Sequence, residues 1–228
     1  MKSYYKRYTT ITGDGSHSLY MPELGEHYHS TFGALQESRH VFLQAGFEHV
    51  ISKGGVLRVL EVGFGTGLNA LLTLARAAEE NLEVAYDTLE PFPLSKTEWS
   101  ELNLPKLVEN GRFTDAFARM HQAEDQVITR IHDGFSFQRN SCTLQEVVLP
   151  DSHYHVVYHD AFAPQYQPEM WTLEVFEKLY AAMLPGAVLT TYCTKGSVKR
   201  AMKAAGFVLS HPEGPPGKRE MTVAVREV

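Results

Sequence analysis

The sequence predicts an α/β fold: a mostly parallel seven-stranded sheet with helices on both faces, preceded by a small hairpin-and-helix appendage. Three observations carry this expectation. Leu57-Arg-Val-Leu-Glu-Val62 has apolar residues on both parities, the pattern of a strand buried on both faces. Gly63, Gly65 and Gly67 follow at alternate positions, and Leu68 to Ala75 then runs at helical spacing. Beyond them, short apolar runs alternate with helical stretches, as parallel βαβ units require. Strand, glycine turn and helix together form the opening unit of a Rossmann-like domain.

Residues 1–53 form the appendage, and residues 54–228 the main domain. Tyr5–Ile11 and Ser16–Met21 flank Thr12-Gly-Asp-Gly15, which predicts a hairpin. A helix through Leu35, Ser38, Val41, Phe42 and Phe47 follows. His27 and His29 put both rings on one face of a strand, but no cysteine or acidic cluster completes a metal site, so none is expected. In the main domain, Leu82–Glu90 is the second strand, punctuated by Pro91 and Pro93. Ser95–Leu102, Pro105–Val108 and Phe113–Asp125 read as helical pieces, broken at Gly111-Arg112. Val127–Asp133 is the third strand and Tyr154–Asp160 the fourth. Asp160 leads into an aromatic, proline-rich loop and a helix entered near Pro168, with Leu173, Phe176, Leu179, Tyr180 and Met183 on its apolar face. Pro185-Gly186 ends that helix, and Ala187–Cys193 is the fifth strand. A helix from Ser197 stops at Gly206, and Phe207–Leu209 and Met221–Val225 are the last strands.

Composition excludes several classes. At 228 residues, 43% hydrophobic and 21% charged, the chain is an ordinary globular protein with a sizeable core. No apolar run approaches the roughly 18 residues of a membrane span. The basic N-terminus has no apolar stretch after it, so no secretory signal is expected, and Cys142 and Cys193 read as free thiols of a cytoplasmic protein. A net charge of −6 argues against a nucleic-acid binder, but its distribution argues otherwise. Lys195, Lys199, Arg200, Lys203, Lys218 and Arg219 face only one acid, Glu213, within their span. Such a local basic face is suited to phosphates, although on charge alone a solvated helix face is the favoured reading.

The glycine spacing narrows the ligand. A dinucleotide fingerprint needs glycine or alanine where this chain has Leu68, which disfavours a nicotinamide cofactor. Glu61-x-Gly-x-Gly-x-Gly67 instead resembles the first motif of class I S-adenosylmethionine methyltransferases, which makes Glu61, Gly63, Gly65, Gly67 and Asn69 candidate donor-binding residues. A carboxylate at the end of the second strand matches a vicinal diol, so Glu90 is the candidate for the donor's ribose. By analogy with this class of fold, Asp133 ends the third strand where it meets the adenine amino group; the alternative is a turn-capping role.

The whole set is more specific. Glu37-Ser-Arg-His-Val-Phe-Leu43, the glycine motif through Asn69, Asp160-Ala-Phe-Ala-Pro164, Pro168-Glu-Met-Trp171 and Gly217-Lys-Arg-Glu-Met221 are similar to the methyltransferase half of MnmC-type tRNA 5-methylaminomethyl-2-thiouridine biosynthesis proteins and their stand-alone relatives. The resemblance implies methylation of the 5-aminomethyl group on a wobble (thio)uridine of tRNA. Asp160 would hold and orient the amine, since a free aspartate near pKa ~3.9 is a weak base toward an alkylammonium near ~10.4. Phe162, Tyr166 and Trp171 would wall the pocket, with core packing an equal reading for Trp171 and a weaker one for Phe162, and Tyr28 and Ser30 approaching from the appendage. Lys195, Lys199, Arg200, Lys218 and Arg219 would meet the phosphates of the tRNA anticodon stem-loop. The bifunctional members carry a flavin-dependent oxidase half, for which this length leaves no room, so neither flavin nor an obligatory protein partner is expected. Ala161 stands where the bifunctional form has glycine, a departure in the loop beside the proposed catalytic aspartate. A methyltransferase of a small-molecule amine and a non-catalytic nucleotide-binding module are the competing readings.

Overall fold

The computed structural model describes residues 6–227, so Tyr5, at the start of the expected hairpin, lies outside the described residues. The chain first builds a small antiparallel sheet from β1 (Tyr8–Ile11), β2 (His17–Met21) and β3 (Glu26–His27). The turn between β1 and β2 is tied inward by Asp14. One carboxylate oxygen accepts from the Thr12 hydroxyl and the Ser16 amide, and the other from Gln36 N at 3.0 Å, which fastens the turn to the following helix. That helical stretch runs from Ala34 to Val50, widened over Arg39–Phe47, and its Val41, Phe42 and Phe47 are buried in the main core.

The main sheet contains β4 (Val56–Val62), β5 (Glu83–Leu89), β6 (Thr129–His132), β7 (Phe135–Asn140), β8 (Tyr154–His159), β9 (Met183–Thr191), β10 (Val208–Ser210) and β11 (Thr222–Val225). Their order is β10-β11-β9-β8-β4-β5-β7-β6. The five central strands from β9 to β7 are parallel, and both edges are closed by antiparallel strands. Strand parity builds the two faces. Leu57 and Val59 join one cluster with Phe42, Leu71, Tyr86 and Phe137, whereas Leu60 and Val62 join the other with Val157, Phe176, Leu189 and Met202. The fold is therefore the expected Rossmann-like α/β arrangement.

Three details differ from expectation. The sheet has eight strands, because the segment after Asp133 is itself a strand. Asp133-Gly134 is the turn of a tight hairpin, and Phe135 and Phe137 alternate inward on β7, which takes the place beside β5 expected for the segment before it. The helix that starts at Leu173 ends at Ala182 rather than at Pro185, so β9 begins before Pro185-Gly186. Met183 is buried opposite Tyr154, and the register shift between Tyr154 and Val156 absorbs the extra residues. Among the described residues no helix is long and apolar enough to cross a membrane.

Candidate active site

A cavity of about 630 Å³ opens over the C-terminal ends of β4, β5, β7 and β8 and is roofed by the segment from Glu26 to Phe32. Open α/β sheets bind ligands at this edge, and the size suits a nucleoside-scale ligand.

The first wall is the glycine bend after β4. Gly63 adopts φ 96°, and a Cβ there would lie 2.6 Å from the Asp160 carbonyl oxygen, so only glycine fits between the ends of β4 and β8. Gly67, at φ 78°, caps the helix Leu68–Glu79 without a side-chain acceptor for its first N–H groups. An uncapped helix start is a ready site for electronegative ligand groups. Glu90, 9% exposed, lies beside the bend. One of its oxygens accepts from Gly65 N and the other from Phe92 N, both at 2.8 Å. Its carboxylate is thus held in place by main-chain donors while each oxygen keeps lone pairs for a diol. These groups fit a nucleoside-bearing donor.

The second wall is the loop after β8. Asp160 N donates to Val62 O at 3.0 Å, which ties the loop to β4. The side chain is half-buried at the cavity wall, and Asn69 Nδ2 donates to its Oδ2 at 2.9 Å. Burial, reinforced by the negative charge of Glu37, raises the Asp160 carboxyl to about 7, against the opposing pulls of Asn69 and Lys218. The loop main chain is pinned three times: Gln167 Oε1 accepts from Phe162 N, Trp171 Nε1 donates to Phe162 O, and Tyr192 Oη donates to Ala161 O. Phe162 lines the cavity edge-on to Tyr28, with ring centroids 5.1 Å apart, and Tyr28 also covers the position where a Cβ of Gly65 would be. Tyr166 and Ser30 line the cavity as well. Trp171 is buried behind the wall against His159.

Sequence reasoning missed the ion pair that closes this wall. Glu37, 6% exposed, accepts from Ser30 N at 2.8 Å and from Lys218 Nζ at 2.6 Å. Lys218 also lies 4.0 Å from the centroid of the Tyr192 ring. Both residues sit in motifs noted for the resemblance, yet 181 positions separate them and nothing local couples them.

Several expected site residues are elsewhere. Asp133 is in the β6–β7 turn, at the start of β7 and thus at the opposite sheet edge, with its carboxylate ion-paired to Arg130 at the surface. The cavity wall past β7 is instead Cys142, Thr143, Leu144 and Gln145. Glu61 is fully buried beneath the bend and does not reach the cavity. Of the basic set, Lys218 belongs to the cavity and Lys199 is bonded to Glu220 at 3.3 Å. Arg200 is exposed, and Lys195 and Arg219 border a second, smaller cavity of about 320 Å³ that shares Ala163, Tyr192 and Lys218 with the first. His27 and His29 part ways: His27 packs on Tyr20, whereas half-buried His29 bonds to the Ser18 and Thr66 hydroxyls.

Comparison with known proteins agrees with this geometry. Residues 141–227 match a family described as S-adenosyl-L-methionine-dependent methyltransferase. The chain is 32% identical over 219 residues to the tRNA 5-methylaminomethyl-2-thiouridine biosynthesis bifunctional protein MnmC of Ectopseudomonas mendocina, covering 86% of this chain and 32% of that protein. It is 31% identical to its namesake from Pseudomonas savastanoi pv. phaseolicola, covering 94% of this chain and 34% of that one. The chain therefore spans about a third of the length of these relatives. Among solved structures, MNMC2 from Aquifex aeolicus superimposes with a TM-score of 0.78 at 24% identity, covering 100% of this chain and 72% of that chain. A spermidine synthase from Thermotoga maritima shares the fold at a TM-score of 0.53 and 11% identity, covering 96% of this chain and 73% of that chain. The glycine bend, the preset Glu90 and the matched C-terminal segment together make the chain similar to the S-adenosyl-L-methionine-dependent methyltransferases.

Proposed function

We propose that this protein is a tRNA-modifying N-methyltransferase that converts the 5-aminomethyl group of a wobble uridine or 2-thiouridine to 5-methylaminomethyl. The observation that carries the reading is Asp160: a carboxylate raised to about 7 stands in the cavity between the glycine bend and an aromatic wall. The names of the relatives and the residues lining the cavity support the same substrate class.

A bound S-adenosyl-L-methionine supplies an electrophilic methyl group. Glu90 and the main-chain donors of the bend and helix start hold such a donor. Asp160 draws in the alkylammonium and takes a proton at the oxygen not engaged by Asn69, leaving the nitrogen lone pair free. An ordinary aspartate is far too acidic for that transfer. Raising the group to about 7 closes roughly half of the gap to an alkylammonium. Phe162 and Tyr28 offer ring surface to a flipped-out base, as recognition of unstacked nucleotides requires. Lys195, Arg200 and Arg219 carry the flanking phosphates, and the reaction takes place in the cytoplasm.

The test is nucleoside analysis of tRNA from cells lacking the protein, joined to methylation of that tRNA by purified protein and S-adenosyl-L-methionine. Accumulated 5-aminomethyl uridine that the protein converts in vitro is the expected result. Unaltered tRNA nucleosides, with methylation of a free amine instead, would replace this substrate with a small molecule.

A further inference from the structure

Exposed apolar side chains scattered singly over a surface need no explanation, but two in this chain stand at the cavity. Among the described residues, Phe32, 62% exposed, and Phe92, 38% exposed, are the large exposed hydrophobics that also line it. Phe92 follows Glu90, and its carbonyl accepts from Arg7 Nη2 at 2.8 Å, which places it beside the glycine-bend wall. Phe32 lies against the C-terminal loop instead. A Cβ on Gly217, at φ 87°, would lie 2.5 Å from Phe32 Cδ2 and 2.6 Å from Cε2, so the ring rests on bare backbone immediately before Lys218 and Arg219. The main chain under the ring is fixed as closely. Gly13 N donates to Thr31 O at 2.8 Å, Gly33 N to Ser30 O at 3.2 Å, and Phe32 N to Ser30 Oγ at 3.3 Å. A Cβ on Gly13 would lie 2.5 Å from the Phe32 carbonyl oxygen, and one on Gly33 2.6 Å from Asp14 Oδ2. Gly13, Gly33 and Gly217 thus all make room around one residue. Leaving most of that ring in water forfeits the stabilisation that burial would bring.

We propose that Phe32 is a stacking platform for the base of a nucleotide adjoining the one that enters the cavity, a second base-binding site at the cavity mouth. The inference rests on the tRNA reading above. The charge beside the ring fits this occupant. Lys218 and Arg219 follow the glycine on which the ring rests, and Lys195 and Arg219 border the adjoining cavity. Arg219 is exposed and has no ion-pair partner among the described residues. An aromatic face next to free cations, on a chain whose net charge is −6, is the pattern of a single-stranded nucleic-acid site. Drawing one base out of a stack strips its neighbour of a stacking partner. Phe32 replaces that partner with a ring already held in position, so little ordering is left to be done on binding. Every base has a π face, so the contact tolerates any neighbouring nucleotide.

The test is the affinity of a fluorescently labelled anticodon stem-loop RNA, read by anisotropy. Phe32→Ala and Phe32→Leu should each weaken binding about tenfold, and Phe32→Tyr should stay within about twofold of wild type. Leucine keeps apolar bulk against Gly217 without an aromatic face, so wild-type affinity in Phe32→Leu would reduce the ring to packing and overturn the proposal. The slope of log affinity against log salt should be the same in all four proteins, because stacking releases no counterions. The deciding measurement removes the base instead of the ring. Of two stem-loops, abasic on the 5′ or the 3′ side of the wobble uridine, one should bind wild type about tenfold more weakly than intact RNA. That RNA should cost Phe32→Ala nothing further. Equal losses in wild type and Phe32→Ala for both abasic RNAs would overturn the platform. So would self-association lost in Phe32→Ala with RNA affinity unchanged, which would assign the ring to a contact between copies of this chain. A wild type that neither binds nor methylates the stem-loop overturns the tRNA reading and this inference with it. A wild type that does both, with Phe32→Ala its equal, overturns the platform alone.

Discussion

The two walls of the cavity are built on opposite plans. In the wall formed by the glycine bend and Glu90, the carboxylate is set before any ligand arrives: both Glu90 oxygens already accept main-chain N–H groups at 2.8 Å. The wall around Asp160 is held out of balance. A carboxylate is raised to about 7, a second buried acid, Glu37, adds its charge, and one lysine, Lys218, offsets both. The difference teaches where each half draws its chemistry. The bend supplies fixed dipoles, which are useful for holding a ligand that does not change where it is held. The aspartate wall supplies a group poised to change protonation, which reaction at a nitrogen requires.

The largest way to break this contrast is Asp160→Asn. Turnover should fall by about 10²–10⁴-fold, while affinity for S-adenosylhomocysteine changes less than about threefold. The same variant reports on stability. Asp160 titrates near 3.8 when unfolded and about 7 when folded, so the folded state holds the proton more tightly. That stabilising contribution is complete at pH below the unfolded value and is lost as pH rises through about 7. Asp160→Asn should therefore melt higher than the wild type in alkaline buffer and show no such advantage in acid. A variant losing donor-product affinity as steeply as turnover would show that the two walls are not separate.

A smaller effect is expected from the other wall. Gly63→Ala forces a side chain into positive φ and against the Asp160 carbonyl, costing about 1–3 kcal/mol of stability. Calorimetry should also find S-adenosylhomocysteine affinity reduced by more than tenfold. Smallest of all is the outer surface. Removing Lys195 and Arg219 together should leave donor-product binding intact and lower the slope of log affinity for tRNA against log salt by about 1–2. An unchanged slope would leave the second cavity without a role in RNA binding.

The same division governs how much could be read in advance. The bend and Glu90 are local: glycines two residues apart and an acid ending the next strand can be recognised in a one-dimensional string. The parity of β4 was equally visible, and it carries Glu61 to the same face as Leu57 and Val59, away from the cavity. Motif resemblance outweighed that signal. A third strand over Val127–Asp133 would bring Asp133 to the cavity, but Phe135 and Phe137 after Asp-Gly alternate at strand period and form the strand beside β5 instead. Nothing local announces Glu37 with Lys218, or Tyr192 with Ala161. Those pairs exist only once the chain has closed, and they set the charge balance around Asp160.

Tyr28 stands between the two plans, with its ring over Gly65 on one side and edge-on to Phe162 on the other. A partition common to two chambers cannot shift for one occupant without reshaping the room left to the next. Thermodynamic reciprocity then binds the affinities together: whatever the donor does to the grip on a nucleotide through this ring, the nucleotide does in equal measure to the grip on the donor.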